Sequence, residues 1–166
     1  MEPNKWRSSQ SSQGNYVTQT LGYDKFLEMW PLFLESFDSL IAPKGANMTN
    51  LTVDELFKTL LHLAVYPENG FLGCLYNKNG GFLGYVAAIS TSIAFRPSAL
   101  QMFAIYSNEK CPSTPKELIY ELKEWARKHG FSKLHATMFR KSGTARNFFK
   151  FKLGMKENGF NFEVEL

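Results

Sequence analysis

The chain is poor in several things, and each shortage removes a class of explanation. It has 2 cysteines in 166 residues, Cys74 and Cys111. One pair cannot staple a disulfide-built fold, and with no ligand set around it in the sequence it cannot complete a four-ligand zinc site. No metal site is expected, and a reducing compartment is. No apolar run approaches the ~18 residues that a membrane-crossing helix needs, so no membrane partner is expected. The start of the chain, MEPNKWRSSQSSQGN, holds no hydrophobic signal core, and the expected location is cytoplasmic. No lysine/arginine run reaches five residues, and the net charge of +4 is thinly spread. That permits an anionic ligand, but neither an RNP-like nor a helix-turn-helix pattern is present, so nucleic acid is disfavoured as a partner. There are no internal repeats.

Aromatic side chains are abundant. Fifteen Phe, 7 Tyr and 3 Trp make up 15% of the chain, within a hydrophobic content of 44% and a charged content of 20%. This length and balance suit one globular domain with a Phe-rich core. Residues 1–14 are dominated by Ser and Gln and predict a flexible arm, with Trp6 between Lys5 and Arg7 as its one anchor for a protein partner. The domain proper is expected over 15–166.

Alternation over 15–21 predicts a short strand. Over 23–40, Phe26, Leu27, Trp30, Phe33, Leu34 and Phe37 recur at helical spacing, with Pro31 expected to kink the helix or start a second one. Thr52 and Glu55 form a capping box before the stripe Val53, Leu56, Phe57, Leu60, Leu61 and Ala64, and Pro67 ends that helix. Strands follow at 70–76 and 81–93, around a hairpin signalled by Asn79-Gly80. The apolar run 99–106 predicts a central strand buried on both faces. Thr114, Pro115 and Glu117 open a helix carrying Leu118, Ile119, Leu122, Trp125 and Ala126, and Gly130 closes it. A strand over 131–139, a short helix over 144–153 and a final strand or hairpin over 155–166 complete the pattern. The order β-α-α-β-β-β-α-β-α-β predicts an α/β (α+β) mixed sheet with helices on both faces.

That order, with the ending Ala145-Arg-Asn-Phe-Phe-Lys-Phe-Lys-Leu-Gly-Met155, resembles the GNAT superfamily of GCN5-related N-acetyltransferases over roughly 15–166. The ending is similar to the family's A-x-x-F-Y-x-x-x-G-F. The unit of strand 99–106, loop 107–113, helix 114–129 and strand 132–138 is similar to its cofactor crossover. The resemblance implies a GNAT-like acyltransferase fold, acetyl-CoA as cofactor and an amine as acceptor, on a small molecule or a protein. It implies that Ala104, Ile105 and Tyr106 pair with the pantetheine arm in a V-shaped gap between two splayed parallel strands. It places the pyrophosphate on Lys110, Cys111, Ser113, Thr114 and Lys116, where the start of the following helix offers unpaired N–H groups.

Two stretches depart from the family. The segment Glu109-Lys-Cys-Pro-Ser-Thr-Pro115 has no glycine, and Pro112 and Pro115 each lack a donor. The family's thiolate-protonating Tyr corresponds to Phe149 when counted from Ala145, or to Lys150 when counted back from Gly154. Ser142 stands where the motif commonly opens with Asn.

For proton transfer, the candidates are Tyr106, Glu109 and His135, each of which also has an ordinary reading as a packed ring, a solvated acid or a core histidine. Arg140, Lys141 and Arg146 form a basic cluster suited to an anion or a solvated face. The enzyme reading therefore stands beside a second one, a non-catalytic binding or structural module. A phage virion component attached through residues 1–14 is one example, with a virion location. Catalytic status is left open between them.

Overall fold

The computed structural model of the chain describes residues 9–10, 16–19, 22–41, 52–91, 99–107, 114–137, 146–152, 154–158 and 161–166. In chain order these form β1 (Ser9–Gln10), β2 (Tyr16–Gln19), α1 (Gly22–Ile41), α2 (Val53–Val65), a short 3₁₀ turn (Pro67–Asn69), β3 (Gly70–Tyr76), β4 (Phe82–Thr91) and β5 (Ala99–Ser107). Then come α3 (Thr114–Lys128), β6 (Lys133–Thr137), a π-helical turn (Phe148–Lys152), β7 (Lys156–Asn158) and β8 (Asn161–Glu165). Among the described residues the strands make one eight-stranded sheet in the order β1-β2-β3-β4-β5-β6-β8-β7. The β5–β6 pair is parallel, and the other neighbouring pairs are antiparallel. The expected mixed sheet with helices on both faces is present.

Each helix lies where its apolar stripe requires. α1 buries Phe26, Met29, Phe33 and Phe37, while Leu27 and Leu34, expected in that stripe, are 40% and 43% exposed. Pro31 lies inside this single helix, on its exposed side, so it neither divides the element nor starts a second one. α2 begins with the predicted capping box: the Thr52 N–H donates to Glu55 Oε2 at 2.7 Å, and the Glu55 N–H donates to Thr52 Oγ1 at 3.2 Å. α3 ends at Gly130, whose φ of 78° lets the Phe131 N–H reach the Ala126 carbonyl and its own N–H reach that of Arg127. This is a Schellman closure, which glycine allows without Cβ strain.

The two faces carry separate cores. α1 and α2 cover Leu72, Cys74, Tyr76, Tyr85, Ala87 and Ala104. α3 and the buried Phe149 cover Phe71, Leu75, Val86, Leu100, Met102 and Leu134. Each fully buried Phe or Leu contributes about 1.5–3 kcal/mol, which outweighs the weak local preferences of the strands. The β3–β4 hairpin turns on Asn77 as well as on Gly80. Asn77 Oδ1 accepts the N–H groups of Asn79 and Gly81, both at 2.9 Å, and Gly80 takes a φ of 81°. β1, pairing Ser9 with Val17 and Gln10 with Tyr16, was not foreseen within the expected arm.

Candidate functional site

The central irregularity of the sheet lies on β5. Ala87 of β4 faces Ala104, and Ala88 faces Met102, so Phe103 is an extra residue on β5. Such a bulge bends a strand and resets which way its side chains point. The packing agrees: Leu100 and Met102 join the α3-side core, whereas the consecutive Phe103 and Ala104 both pack on the α1/α2 side.

The parallel pairing ends at the same place. β5 and β6 run together from Ala99↔Lys133 to Met102↔Ala136. The next residues, Phe103 and Thr137, do not pair with one another, although Thr137 still pairs with Asn161 of β8. β5 meanwhile continues along β4 as far as Ser107, opposite Gly84. Among the described residues, Phe103 to Ser107 therefore have no strand partner on the β6 side. Backbone N–H and C=O groups on such an edge can take an extended, amide-bearing chain as an added strand.

Topology brings a second element to this end of the sheet. The connection from β5 leads into α3, so the helix N-terminus opens at the carboxyl end of β5. The start of a long helix favours negative charge. Lys116, in its first turn, is exposed. Thr114 begins the helix. Glu109, Lys110, Cys111, Pro112, Ser113, Arg140, Lys141 and Ser142 lie outside the described residues.

Of the expected cofactor-contacting residues, Ala104, Ile105 and Tyr106 lie in the unpaired stretch of β5. Ala104 is buried towards α1 and α2, Ile105 packs on the α3-side core, and Tyr106 is half-buried on the α1/α2 side. His135 lies one residue before the last parallel pair, half-buried and in register with Gln101. Phe149 is 8% exposed and belongs to the α3-side core, with its carbonyl accepting the Met155 N–H at 3.0 Å. Its position carries a packed ring and no hydroxyl. Lys150 is exposed and sits over the Phe151 ring at 5.6 Å. Arg146 is engaged: its Nε and Nη2 both donate to Glu157 Oε2, at 2.9 and 2.8 Å.

Tyr106 is part of an aromatic cluster that the local sequence patterns did not reveal. Its ring lies 6.2 Å from that of Tyr85 and 6.4 Å from that of Phe82. Phe33 of α1 meets Tyr85 edge-on at 4.9 Å. Tyr85 is fully buried, and burial raises its phenol above the ordinary value, an effect partly offset by the Ser36 hydroxyl. Ser36 Oγ donates to the Phe33 carbonyl at 2.6 Å and lies 3.4 Å from the Tyr85 hydroxyl. Cys74, opposite Tyr85 on β3, is fully buried, and burial likewise raises its thiol. It is part of the core. Among the described residues no group of three or more metal-ligating side chains comes together, and no helix is long and apolar enough to cross a membrane.

No family model matches the chain, and no curated protein matches its sequence. Solved structures do match. An acetyltransferase of the GNAT family from Streptococcus pneumoniae superposes with a TM-score of 0.64 at 13% identity, covering 92% of this chain and 99% of that one. A ribosomal-protein-alanine N-acetyltransferase from Brucella melitensis gives 0.63 at 16% identity, covering 84% and 95%. A GNAT superfamily phosphinothricin acetyltransferase from Sinorhizobium meliloti, in complex with acetyl-CoA, gives 0.63 at 15% identity, covering 84% of both chains. The element order, the interrupted β5–β6 pairing and these superpositions lead to one conclusion: the chain has the fold of the GNAT acetyltransferases.

Proposed function

We propose that the chain binds acetyl-CoA in the β5–β6 gap and transfers the acetyl group to a primary amine. The observation that carries this reading is the end of β5 at the Phe103 bulge: Ala104–Ser107 keep their β4 partners, while among the described residues Phe103–Ser107 have none on β6. The pantetheine arm is an extended chain with two amides, and the backbone of Ala104, Ile105 and Tyr106 offers matching donors and acceptors. The first turn of α3, with Lys116, is suited to the phosphate end. When bound, the thioester supplies an acyl group: a C–N bond forms to the amine, the C–S bond breaks, and the proton lost from nitrogen is balanced by one gained at the thiol.

The chain's own part is to align, to exclude water and to handle protons. Phe149 has no proton to give. Of the two described hydroxyl-bearing residues in the Phe103–Ser107 run, Tyr106 and Ser107, Tyr106 carries the phenol, and it takes that role in this proposal. A non-catalytic binding module is the second reading, favoured by the apolar Phe149. Calorimetry with acetyl-CoA and a thiol-release assay with an amine panel test both. Binding with thiol release supports the transferase, binding without release supports the module, and no binding at millimolar acetyl-CoA overturns the cofactor assignment.

A further inference from the structure

We infer that Asn79 is a site of spontaneous deamidation, at which water alone converts the tip of the β3–β4 hairpin into an aspartate or isoaspartate form. The reaction needs neither acetyl-CoA nor an acceptor. Three Asn-Gly pairs occur in the chain: Asn69-Gly70, Asn79-Gly80 and Asn158-Gly159. Glycine after asparagine favours the reaction, because no Cβ screens the backbone nitrogen from the asparagine side chain. In sequence the pairs are alike, and the fold separates them.

At Asn69-Gly70 the reacting groups are held. Asn69 Nδ2 lies 2.9 Å from His62 Nε2, and the Asn69 N–H donates to the Tyr66 carbonyl at 3.1 Å. Gly70 is buried at the start of β3, in register with Ile89, and a Cβ built there would lie 2.2 Å from the Ala88 carbonyl oxygen. The backbone cannot swing towards the Asn69 side chain without disturbing β4. At Asn79-Gly80 both residues are exposed, and the Asn79 side chain makes no hydrogen bond to the described residues. Gly80 takes a φ of 81°, and its N–H donates to the Asn77 carbonyl at 2.9 Å. That bond, and the two that Asn77 Oδ1 accepts from Asn79 and Gly81, must loosen before the nitrogen can attack. They sit at an exposed loop tip, where local opening costs far less than global unfolding. Asn77 is followed by Lys78 and its Oδ1 is engaged twice, so it holds the turn instead of reacting. Gly159 lies outside the described residues, and the third pair is not ranked.

The Gly80 amide gives its proton to hydroxide, and its nitrogen attacks Asn79 Cγ. A C–N bond forms, closing an imide ring, and the Cγ–Nδ2 bond breaks to release ammonia. Water then adds to either imide carbonyl and opens one C–N bond. The net change is water consumed and ammonia released, with no change of oxidation state. Opening at the backbone carbonyl leaves isoaspartate, whose main chain runs through Cγ. Either product adds a carboxylate beside Lys78. Isoaspartate also lengthens the loop that the Asn77 N–H and the Gly81 carbonyl close at 2.8 Å.

The test incubates the full chain at mildly alkaline pH and digests it in acid, which stops the reaction. Mass spectrometry then follows each Asn-Gly peptide, with fragmentation that distinguishes isoaspartate. In the folded chain Asn79 should convert at least about tenfold faster than Asn69, and in urea the two rates should come within about threefold. N77A, which loosens the turn, should speed conversion at Asn79 at least about threefold while Asn69 stays slow. N79Q should abolish isoaspartate in that peptide. If N77A unfolds the chain instead, Asn69 accelerates too, and the wild-type ratio decides. Equal rates at Asn69 and Asn79 in the folded chain, or an Asn79 peptide that stays unmodified until urea is added, overturn the inference.

Discussion

Tyr85 and Tyr106 stand in register across the β4–β5 ladder, with ring centroids 6.2 Å apart, the first fully buried and the second half-buried in the stretch of β5 that has no β6 partner among the described residues. The buried ring ties the hydrophobic core to the gap. Its hydroxyl is matched to Ser36 on α1, so the helix, the sheet and the candidate site share one packed layer.

The Ser36–Tyr85 pair should show an asymmetric response to mutation. Tyr85→Phe leaves Ser36 with its Phe33 carbonyl acceptor and should change stability by less than about 1 kcal/mol. Ser36→Ala strands a buried phenol hydroxyl and should cost about 1–3 kcal/mol. The double variant should recover part of that loss. Urea denaturation of the three proteins measures it, and equal costs for the two single variants would contradict the assignment.

Glu55 gives a pH-dependent contribution of known sign. The Thr52 backbone N–H, followed by its hydroxyl, holds the Glu55 carboxyl below its ordinary 4.5. A lowered carboxylate pKa stabilises the fold above the unfolded value, and the contribution is lost as pH falls through the folded value. Glu55→Gln keeps the capping geometry and removes the charge. The wild-type Tm should exceed that of E55Q at pH 7, and the gap should close as the pH is lowered below about 4.5. A constant difference from pH 7 to pH 2 would argue against this origin.

Much of this architecture was legible because it is written locally. Thr52 and Glu55 announce α2, and Gly130 announces the end of α3, through contacts spanning a few residues. The apolar run 99–106 announced a strand, though only Leu100, Met102 and Ala104 of it are buried and the rest are half-buried. Its near-continuous apolar sequence hid the Phe103 bulge, because such a run has no alternation in which an extra residue would show. Pro31 was weighed as a break, yet the packing of Phe26, Met29, Phe33 and Phe37 carries α1 through it. The ring cluster was invisible for another reason. Phe33, Phe82, Tyr85 and Tyr106 come from three elements, and only the β4–β5 register and the docking of α1 bring them together. Position 149 was recognised from the local motif, but its burial depended on the α3-side core.

Gly70 marks a close approach that tolerates no side chain. A Cβ there would overlap the Ala88 carbonyl oxygen and lie 2.7 Å from Leu63 Cδ2. Backbone and a buried core side chain would both have to move. Gly70→Ala should therefore cost at least about 2 kcal/mol, lowering Tm by roughly 2–4 °C per kcal/mol for a chain of this size. A Tm within 1 °C of wild type, measured by circular dichroism, would contradict the packing of β3 against β4 and α2.

The central claim is that the unpaired edge of β5 receives the pantetheine arm of acetyl-CoA. Hydrogen–deuterium exchange with and without acetyl-CoA tests it most directly, because it reads backbone amides and needs no acceptor. The account predicts slower exchange in peptides covering Phe103–Ser107 and the start of α3, with little change in α2 or β7. Binding that leaves Phe103–Ser107 unprotected, or no protection anywhere at saturating acetyl-CoA, would contradict it.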